Sequence, residues 1–190
     1  MMKFELSPRR VFAGFALIGL ALLAEALILQ HLKGLAPCPL CVMQRAGFLL
    51  ILLIATAGAV YQPRSLGAAG YSAAIALVAL AGMAVAMRHV WVLYHPKFGC
   101  GIDVLEQFVN DLPTAKLLPW LLHSSGECTA PHEPIFGLQL PEWSLVWFSL
   151  LFLASIYYAF QRRSAARAST QGNRMKEPHR RATSPRICAR

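Results

Sequence analysis

Cysteines are the residues of this chain whose spacing indicates chemistry most directly. Cys38 and Cys41 form a Cys-Pro-Leu-Cys pair in a short break between two long apolar segments, whereas Cys100 and Cys128 lie in the one long polar loop. Paired cysteines exchange electrons when a thiolate attacks a disulfide. One pair at the membrane surface and another in a loop able to reach it indicate a protein that passes electrons between dithiols.

Other uses of cysteine have different sequence requirements. A structural zinc site usually takes two closely spaced pairs, and here the second pair is widely split. A c-type haem needs His directly after the second cysteine, where this chain has Val42. Structural disulfides remain an alternative for Cys100 and Cys128, because four cysteines permit three connectivities that sequence does not distinguish.

Four apolar segments must position these cysteines in a chain of 190 residues that is 56% hydrophobic and 14% charged. Each segment has the roughly 17–25 residues that cross a hydrocarbon core about 30 Å thick, and backbone at that depth must be helical. Short connections make neighbouring helices antiparallel. The sequence therefore predicts an all-α membrane protein with a four-transmembrane-helix antiparallel bundle in residues 1–163, with helices at about 11–32, 42–61, 66–89 and 143–161 and outer loops at 33–41 and 95–142.

The charges of the connecting segments predict the orientation. The tail from Arg162 onward holds nine Lys or Arg and one acid, and Arg64 lies in the turn after the second helix, whereas the long loop holds six acids and two bases. Because Lys and Arg collect on the cytoplasmic side, both termini are predicted inside and the four paired cysteines outside, where disulfides persist. The first segment contains a motif like a signal-peptide cleavage site, Ala24-Glu25-Ala26, but the apolar run continues past it to Leu32, which favours a retained helix.

Two segments outside the bundle have patterns of their own. Between Ile102 and Leu112 apolar residues recur at helical spacing until Pro113, which predicts a short amphipathic helix. The apolar stretch that follows, Leu117 to Leu122, is too short to span and either lies in the membrane interface, with Trp120 at headgroup level, or caps the helix ends. Residues 164–190, including Cys188, lack an apolar period, so we expect a disordered basic tail that contacts anionic lipid rather than nucleic acid.

Several polar side chains are predicted at the membrane depth of the first cysteine pair. Arg45 lies one helical turn after Cys41, where its guanidinium either stabilises a thiolate or a reduced cofactor or extends to water. His31 and His89, near the outer ends of their helices, either cap those helices or line a pocket for an electron-accepting ring. Glu25 is an ionisable group deeper in the first helix, which marks it as functional or paired.

These motifs resemble the disulfide bond formation protein B family, DsbB. The resemblance covers about residues 10–161 and excludes the basic tail. Its motifs are Gln30-His31, Pro37-Cys38-Pro39-Leu40-Cys41 with Gln44-Arg45, Arg88-His89 ahead of Cys100, and Ser125-Gly126-Glu127-Cys128 ahead of Pro141-Glu142-Trp143.

The resemblance implies an inner-membrane thiol oxidase that reoxidises a periplasmic DsbA-like protein and passes the electrons to ubiquinone or menaquinone, without a metal. It implies that DsbA attacks a Cys100–Cys128 disulfide at Cys100, that Cys128 then attacks Cys38, and that Cys41 is freed as a thiolate beside the quinone. The implied cofactor-binding residues are Arg45, His89, Cys41 and His31. The relay of DsbA, DsbB and quinone is established for the bacterial periplasm and is not inferred from these residues alone.

Two other functions remain open from the sequence. A quinone-linked dithiol enzyme of the vitamin K epoxide reductase type also combines a helical bundle with a Cys-x-x-Cys pair, although that pair is expected late in the bundle. A non-catalytic membrane subunit stabilised by two structural disulfides is the alternative from a different class.

Overall fold

The chain folds into a series of α-helices. The computed structural model describes residues 7–95, 102–129, 134 and 136–182, without the side chains at 102–103, 170 and 172–182. The helices within these ranges are α1 (Pro8–Lys33), α2 (Pro39–Tyr61), α3 (Ser65–Tyr94), α4 (Ile102–Asp111), α5 (Pro113–Leu117), α6 (Pro119–Leu122) and α7 (Leu140–Ala182).

Four of these helices are long and apolar enough to cross a membrane. They are α1, α2, α3 and the Leu140–Ser169 part of α7. The four-helix bundle expected from the sequence is therefore confirmed, and most of its helices extend a few residues beyond the apolar segments. The extension of α2 matters most, because this helix begins at Pro39, inside the Cys-Pro-Leu-Cys motif.

Small residues on α3 allow the bundle to pack closely. The buried residues Ala68, Ser72, Ile75, Ala79, Gly82, Ala86 and His89 alternate in steps of four and three, so they form one face of the helix. This face packs against α7 and α2, and α2 packs in turn against α1. Because His89 lies on the same buried face, helix packing itself carries this histidine into the protein interior.

Aromatic rings fill the middle of the bundle. Phe148 of α7 is fully buried and stacks on Phe48 of α2, with ring centroids 4.1 Å apart and an angle of 3° between the planes. Gly82 of α3 makes room for this pair, because a Cβ atom there would overlap the Phe148 ring. At the end of the bundle away from the cysteines, Phe12 of α1 meets Tyr158 of α7 edge-on.

The polar loop contains the predicted short helix. It is α4, which ends at Asp111, just before Pro113. Further on, Leu121 and Leu122 of α6 are buried while the neighbouring Trp120 is 52% exposed. The segment thus caps the bundle with one side and presents apolar side chains with the other, which combines the two arrangements that the sequence left open.

The basic tail differs from the sequence expectation. Disorder is predicted from residue 164, whereas α7 continues through Ala182. Ala, Arg, Lys and Met are among the better helix formers, and residues added to an existing helix need no new nucleus. Residues 183–190, with Cys188, lie outside the described ranges, so the incidental role of that thiol stays a prediction.

Candidate functional site

The Cys-Pro-Leu-Cys motif forms the first turn of α2. Cys38 is the N-cap residue, and its sulfur accepts a hydrogen bond of 3.2 Å from the backbone N–H of Cys41. Pro39 occupies the first helical position, where a missing N–H is not needed. Both thiols are free and their Sγ atoms lie 2.9 Å apart. The local sequence thus builds a close dithiol at the positive end of a helix dipole.

The two sulfurs of this pair have different environments. The Cys38 thiol donates its hydrogen to the Cys41 sulfur, and this hydrogen bond raises the pKa of Cys38, with burial acting in the same direction. Cys41 is also subject to the positive charge of Arg45. Negative charge that develops in the pair is therefore favoured on the Cys41 sulfur, since Cys38 retains its proton.

Arg45 is fixed inside the protein rather than extended to water. Its guanidinium donates to Gln30 Oε1 at 2.5 Å and to the carbonyl oxygens of Ala26 and Leu121 at 3.1 and 3.3 Å. The residue is 8% exposed. Because a guanidinium has five N–H groups in a rigid fork, about two of them remain for a ligand. Arg45 consequently links α2 to α1 and α6 and presents a charge beside Cys41.

His89 is oriented between Gln44 and the first cysteine. The amide nitrogen of Gln44 lies 3.2 Å from His89 Nδ1, and His89 Nε2 lies 3.6 Å from the Cys38 sulfur. An amide nitrogen only donates, so Nδ1 accepts and the ring hydrogen is on Nε2. Gln44 and His89 are both buried. This contact makes the imidazole a donor toward the sulfur of Cys38.

The second cysteine pair reaches the first through Cys128. The ligand atoms of Cys38, His89 and Cys128 all lie within 4.8 Å of one another. Cys128 is disulfide-bonded, and Cys38 and Cys41 are not its partners because both are free thiols. A metal would also need ligands at such distances, but it needs Cys128 as a thiolate, which the disulfide prevents. Cys100, the other predicted member of this pair, lies outside the described residues.

Backbone hydrogen bonds hold the Cys128 loop beside the motif. The N–H groups of Ser125 and Gly126 donate to the carbonyl oxygen of Pro37 at 3.0 and 3.1 Å. Gly126 lies so close to Ala36 that a Cβ atom would overlap the Ala36 carbonyl. Asn110 of α4 exchanges two hydrogen bonds with the backbone of Ser124, at 2.9 and 3.0 Å. These contacts hold Cys128 close to the Cys38–Cys41 pair.

A cavity of about 110 Å³ adjoins the dithiol, and Cys41 is the cysteine that lines it. Apolar and aromatic side chains dominate its lining and a few polar groups converge on it. Its principal lining residues are Leu22, Glu25, Leu29, Cys41, Gln44, Arg45, Phe48, His89, Trp143 and Trp147. A smaller cavity of about 20 Å³ shares Cys41 and His89 with it and is also lined by Cys38 and Cys128.

The structure brings together most of the residues singled out in the sequence. Cys41, Arg45 and His89 line the larger cavity, and Cys38 and Cys128 lie next to it. His31 is exposed and is not among the lining residues. His31 follows the cavity-lining Glu25 by six residues, and at about 100° per residue it lies about 240° around the axis of α1. His31 is therefore on another side of the helix.

Two residues of the site were not proposed from the sequence. Gln44 orients His89, and Gln30 accepts the shortest hydrogen bond of Arg45. Gln44 follows Cys41 by three residues, so helical spacing alone indicates that it shares the face of the cysteine. The pairing of Gln30 with Arg45 joins two helices and has no comparable signal in the sequence.

Comparison with known proteins agrees with this geometry. Residues 8–158 match the family model of disulfide bond formation protein DsbB. The disulfide bond formation protein B of Herminiimonas arsenicoxydans is 46% identical over 160 residues, which cover 83% of this chain and 99% of the relative. That of Cupriavidus necator is 46% identical over 150 residues, covering 78% and 91%. This chain therefore belongs to the DsbB family and is a multi-pass membrane oxidoreductase of disulfide bond formation.

Proposed function

We propose that the protein takes electrons from a periplasmic DsbA-like dithiol protein and passes them to membrane quinone, ubiquinone or menaquinone. The observation that supports this proposal is the position of the Cys38–Cys41 dithiol between two other features. The Cys128 sulfur lies within 4.8 Å of the Cys38 sulfur. The other cysteine of the dithiol, Cys41, lines a largely apolar cavity with Arg45 and His89.

The thiol exchange steps follow from this order. The partner's thiolate attacks Cys100 of a Cys100–Cys128 disulfide, so the old S–S bond breaks and Cys128 leaves as a thiolate. Cys128 then attacks Cys38 of the oxidised inner pair, and Cys41 leaves as a thiolate. Attack by the second partner cysteine on Cys100 releases oxidised partner and frees Cys100 as a thiolate. This thiolate attacks Cys128, which re-forms the Cys100–Cys128 disulfide and releases Cys38. Free thiols at Cys38 and Cys41 beside a disulfide-bonded Cys128 correspond to the stage at which the electrons reside on the inner pair.

The residues of the larger cavity fit a quinone ring. An apolar cavity of about 150 Å³ accommodates benzene, and the cavity here, about 110 Å³, is of the same order. Trp143, Trp147 and Phe48 provide aromatic walls, and Arg45 provides hydrogen-bond donors for a ring oxygen. The His89 imidazole also lines the cavity, with its hydrogen directed to the Cys38 sulfur. When bound, a quinone supplies an acceptor for two electrons and two protons. The reduction potential of DsbA is about −120 mV, so the electron acceptor must have a still higher potential. A quinone meets that requirement.

Each residue of the cavity then has a distinct task. Cys41 holds the negative charge next to the ring, because Cys38 donates a hydrogen bond to it and Arg45 supplies a nearby positive charge. The remaining N–H groups of Arg45 bind a ring oxygen in a site of low dielectric constant. His89 donates from Nε2 to Cys38, which stabilises charge on that sulfur during the exchange with Cys128.

The charge pattern supports an orientation for this relay. Both termini, including the basic end of α7, would lie in the cytoplasm, and both cysteine pairs would face the periplasm. That arrangement gives the Cys128 loop access to a periplasmic partner and leaves the cavity in contact with the quinone pool of the inner membrane.

The test is oxidation of reduced DsbA by the purified protein with ubiquinone or menaquinone in lipid nanodiscs. We expect turnover that requires quinone. Cys100→Ala should abolish DsbA oxidation and still allow quinone to form the Cys38–Cys41 disulfide, whereas Cys188→Ser should behave like the wild type. Normal DsbA turnover by Cys100→Ala, or cysteine pairs that stay in one fixed redox state in cells, would refute the proposal and favour structural disulfides.

A further inference from the structure

Glu25 is an acidic side chain within a membrane-spanning helix. It is the one carboxyl group in α1, α2 and α3, and it lines the larger cavity. Within the described part of the chain, the Glu25 side chain makes no hydrogen bond or ion pair. Ionisable groups are costly within a membrane, and those that occur there commonly mark proton or ion pathways. The exchange and binding steps described above do not use this carboxyl group.

The other titratable groups around the cavity already have roles that prevent them from donating a proton to the ring. They are Cys41 and Arg45 on α2 and His89 on α3, whereas α7 contributes tryptophan and serine side chains that do not titrate. A guanidinium keeps its proton in proteins, so Arg45 is not a proton donor. Cys41 supplies electrons, and the ring hydrogen of His89 points toward the Cys38 sulfur. Glu25 is consequently the remaining proton donor on the α1 side of the cavity.

We propose that Glu25 protonates the bound quinone, an inference that rests on the proposed function. Oxidation of the Cys38–Cys41 dithiol forms one S–S bond and releases two electrons and two protons, which is what reduction of a quinone to a hydroquinone consumes. The O–H bond of Glu25 breaks as an O–H bond forms on the ring oxygen nearest α1. The proton of the Cys38 thiol reaches the second ring oxygen from the cysteine side, and the proton that Cys41 released on forming its thiolate restores the carboxyl group.

The position of Arg45 supports this role. Its guanidinium donates to the carbonyl oxygen of Ala26, the residue next to Glu25, at 3.1 Å. Arg45 therefore ties the turn of α1 that carries Glu25 to α2, so that Glu25 and Cys41 line the same cavity from two helices. The arrangement couples proton donation on one side of the cavity to electron donation by Cys41 on the other.

The test compares Glu25→Gln with Glu25→Asp, and Glu106→Gln on α4 serves as a control outside the cavity. Quinone affinity is measured by quenching of tryptophan fluorescence, since Trp143 and Trp147 line the cavity. The single-turnover rate of quinone reduction by prereduced protein is measured across pH. We expect Glu25→Gln to keep quinone affinity within about threefold but to reduce this rate by about a hundredfold and flatten its pH dependence, because general acid catalysis contributes about 10²–10⁴ in rate. Glu25→Asp should recover part of the rate and the pH dependence.

Infrared difference spectra on adding quinone give a readout that does not depend on activity. A carboxyl C=O band sensitive to deuterium should appear in the wild type and in Glu106→Gln and be absent in Glu25→Gln. Three results in Glu25→Gln would overturn the role of Glu25 and leave the proposed function intact. They are an unchanged rate and pH profile, a loss of affinity as large as the loss of rate, and a persistent infrared band. A wild-type protein that does not reduce quinone would refute the proposed function and this inference with it.

Discussion

Replacement of Arg45 separates its role in the fold from its role toward a bound ring. Three of its N–H groups are used by Gln30, Ala26 and Leu121, and about two remain for a ligand. In Arg45→Gln both sets of donors and the charge are lost. In Arg45→Lys the charge stays, but one ammonium with three hydrogens cannot reproduce a fork that reaches both α1 and α6.

The expected changes in quinone affinity and in stability follow from the energy of hydrogen bonds that involve a charged group, about 1.5–3 kcal/mol each. Loss of one such bond to a ring oxygen predicts quinone binding about 10- to 100-fold weaker in Arg45→Gln, since about 1.4 kcal/mol corresponds to a factor of ten. The acceptors left behind are neutral, and the Ala26 carbonyl lies within a helix, so we expect only about 1–3 kcal/mol of destabilisation. Arg45→Lys should weaken binding by about tenfold, because the charge remains.

Quinone affinity is to be measured in nanodiscs by tryptophan quenching, and stability by thermal unfolding of the same samples. Arg88→Gln is the matched control, because Arg88 is exposed and stacks on Trp91, with its guanidinium carbon 4.5 Å from the ring centroid, outside the cavity. Quinone affinity in Arg45→Gln within about twofold of the wild type would show that Arg45 is only a structural link between helices.

Other substitutions test the loop, the imidazole, the bundle and the tail. Gly126→Ala should displace the Cys128 loop from Pro37 and slow electron transfer from Cys128 to the inner pair by about tenfold or more in stopped-flow traces, whereas Gly70→Ala, with open space around its Cβ position, should not. Gln44→Leu removes the donor to His89 Nδ1 and should slow the same step several-fold, with quinone affinity unchanged; an equal rate would show that the tautomer is unimportant. Gly82→Ala should lower stability by about 1–3 kcal/mol, seen in thermal unfolding, because the new methyl group overlaps Phe148. Deletion of Ala165–Arg190 should leave turnover and orientation intact, since Arg162, Arg163 and Arg64 remain, and a large loss of turnover at normal membrane levels would indicate a role for the tail.

Local features of the site could be predicted because they depend on the geometry of a single helix. Arg45, four residues after Cys41, must lie one turn along the same face. The apolar pattern placed the start of this helix at residue 42, however, and not at Pro39. The number of helices followed from the lengths of the apolar segments. Such features need no knowledge of how the helices are arranged around one another.

Contacts between helices could not be predicted in the same way. The rotation of each helix about its axis decides which side chains face the cavity, and this is why Glu25 lies there while His31 does not. The partners of Arg45 come from α1 and α6, which are distant in sequence. The helical extension of α7 is not predicted by apolar content, which is low after residue 163. An existing helix can extend through such residues when their helix propensity is good.

The contact between α1 and α7 at only one end of the bundle determines how a ligand enters. Phe12 and Tyr158 are in ring contact between these helices at the end away from the cysteines, and Phe48, which stacks on Phe148, lines the cavity. Near the cysteines the same two helices border the cavity without comparable packing. A quinone would thus enter sideways from the lipid and leave its isoprenoid chain in the acyl layer. The quantity that governs occupancy is then the mole fraction of quinone in the bilayer, so a Michaelis constant expressed per volume of water would change with the amount of lipid while the binding equilibrium itself stays the same.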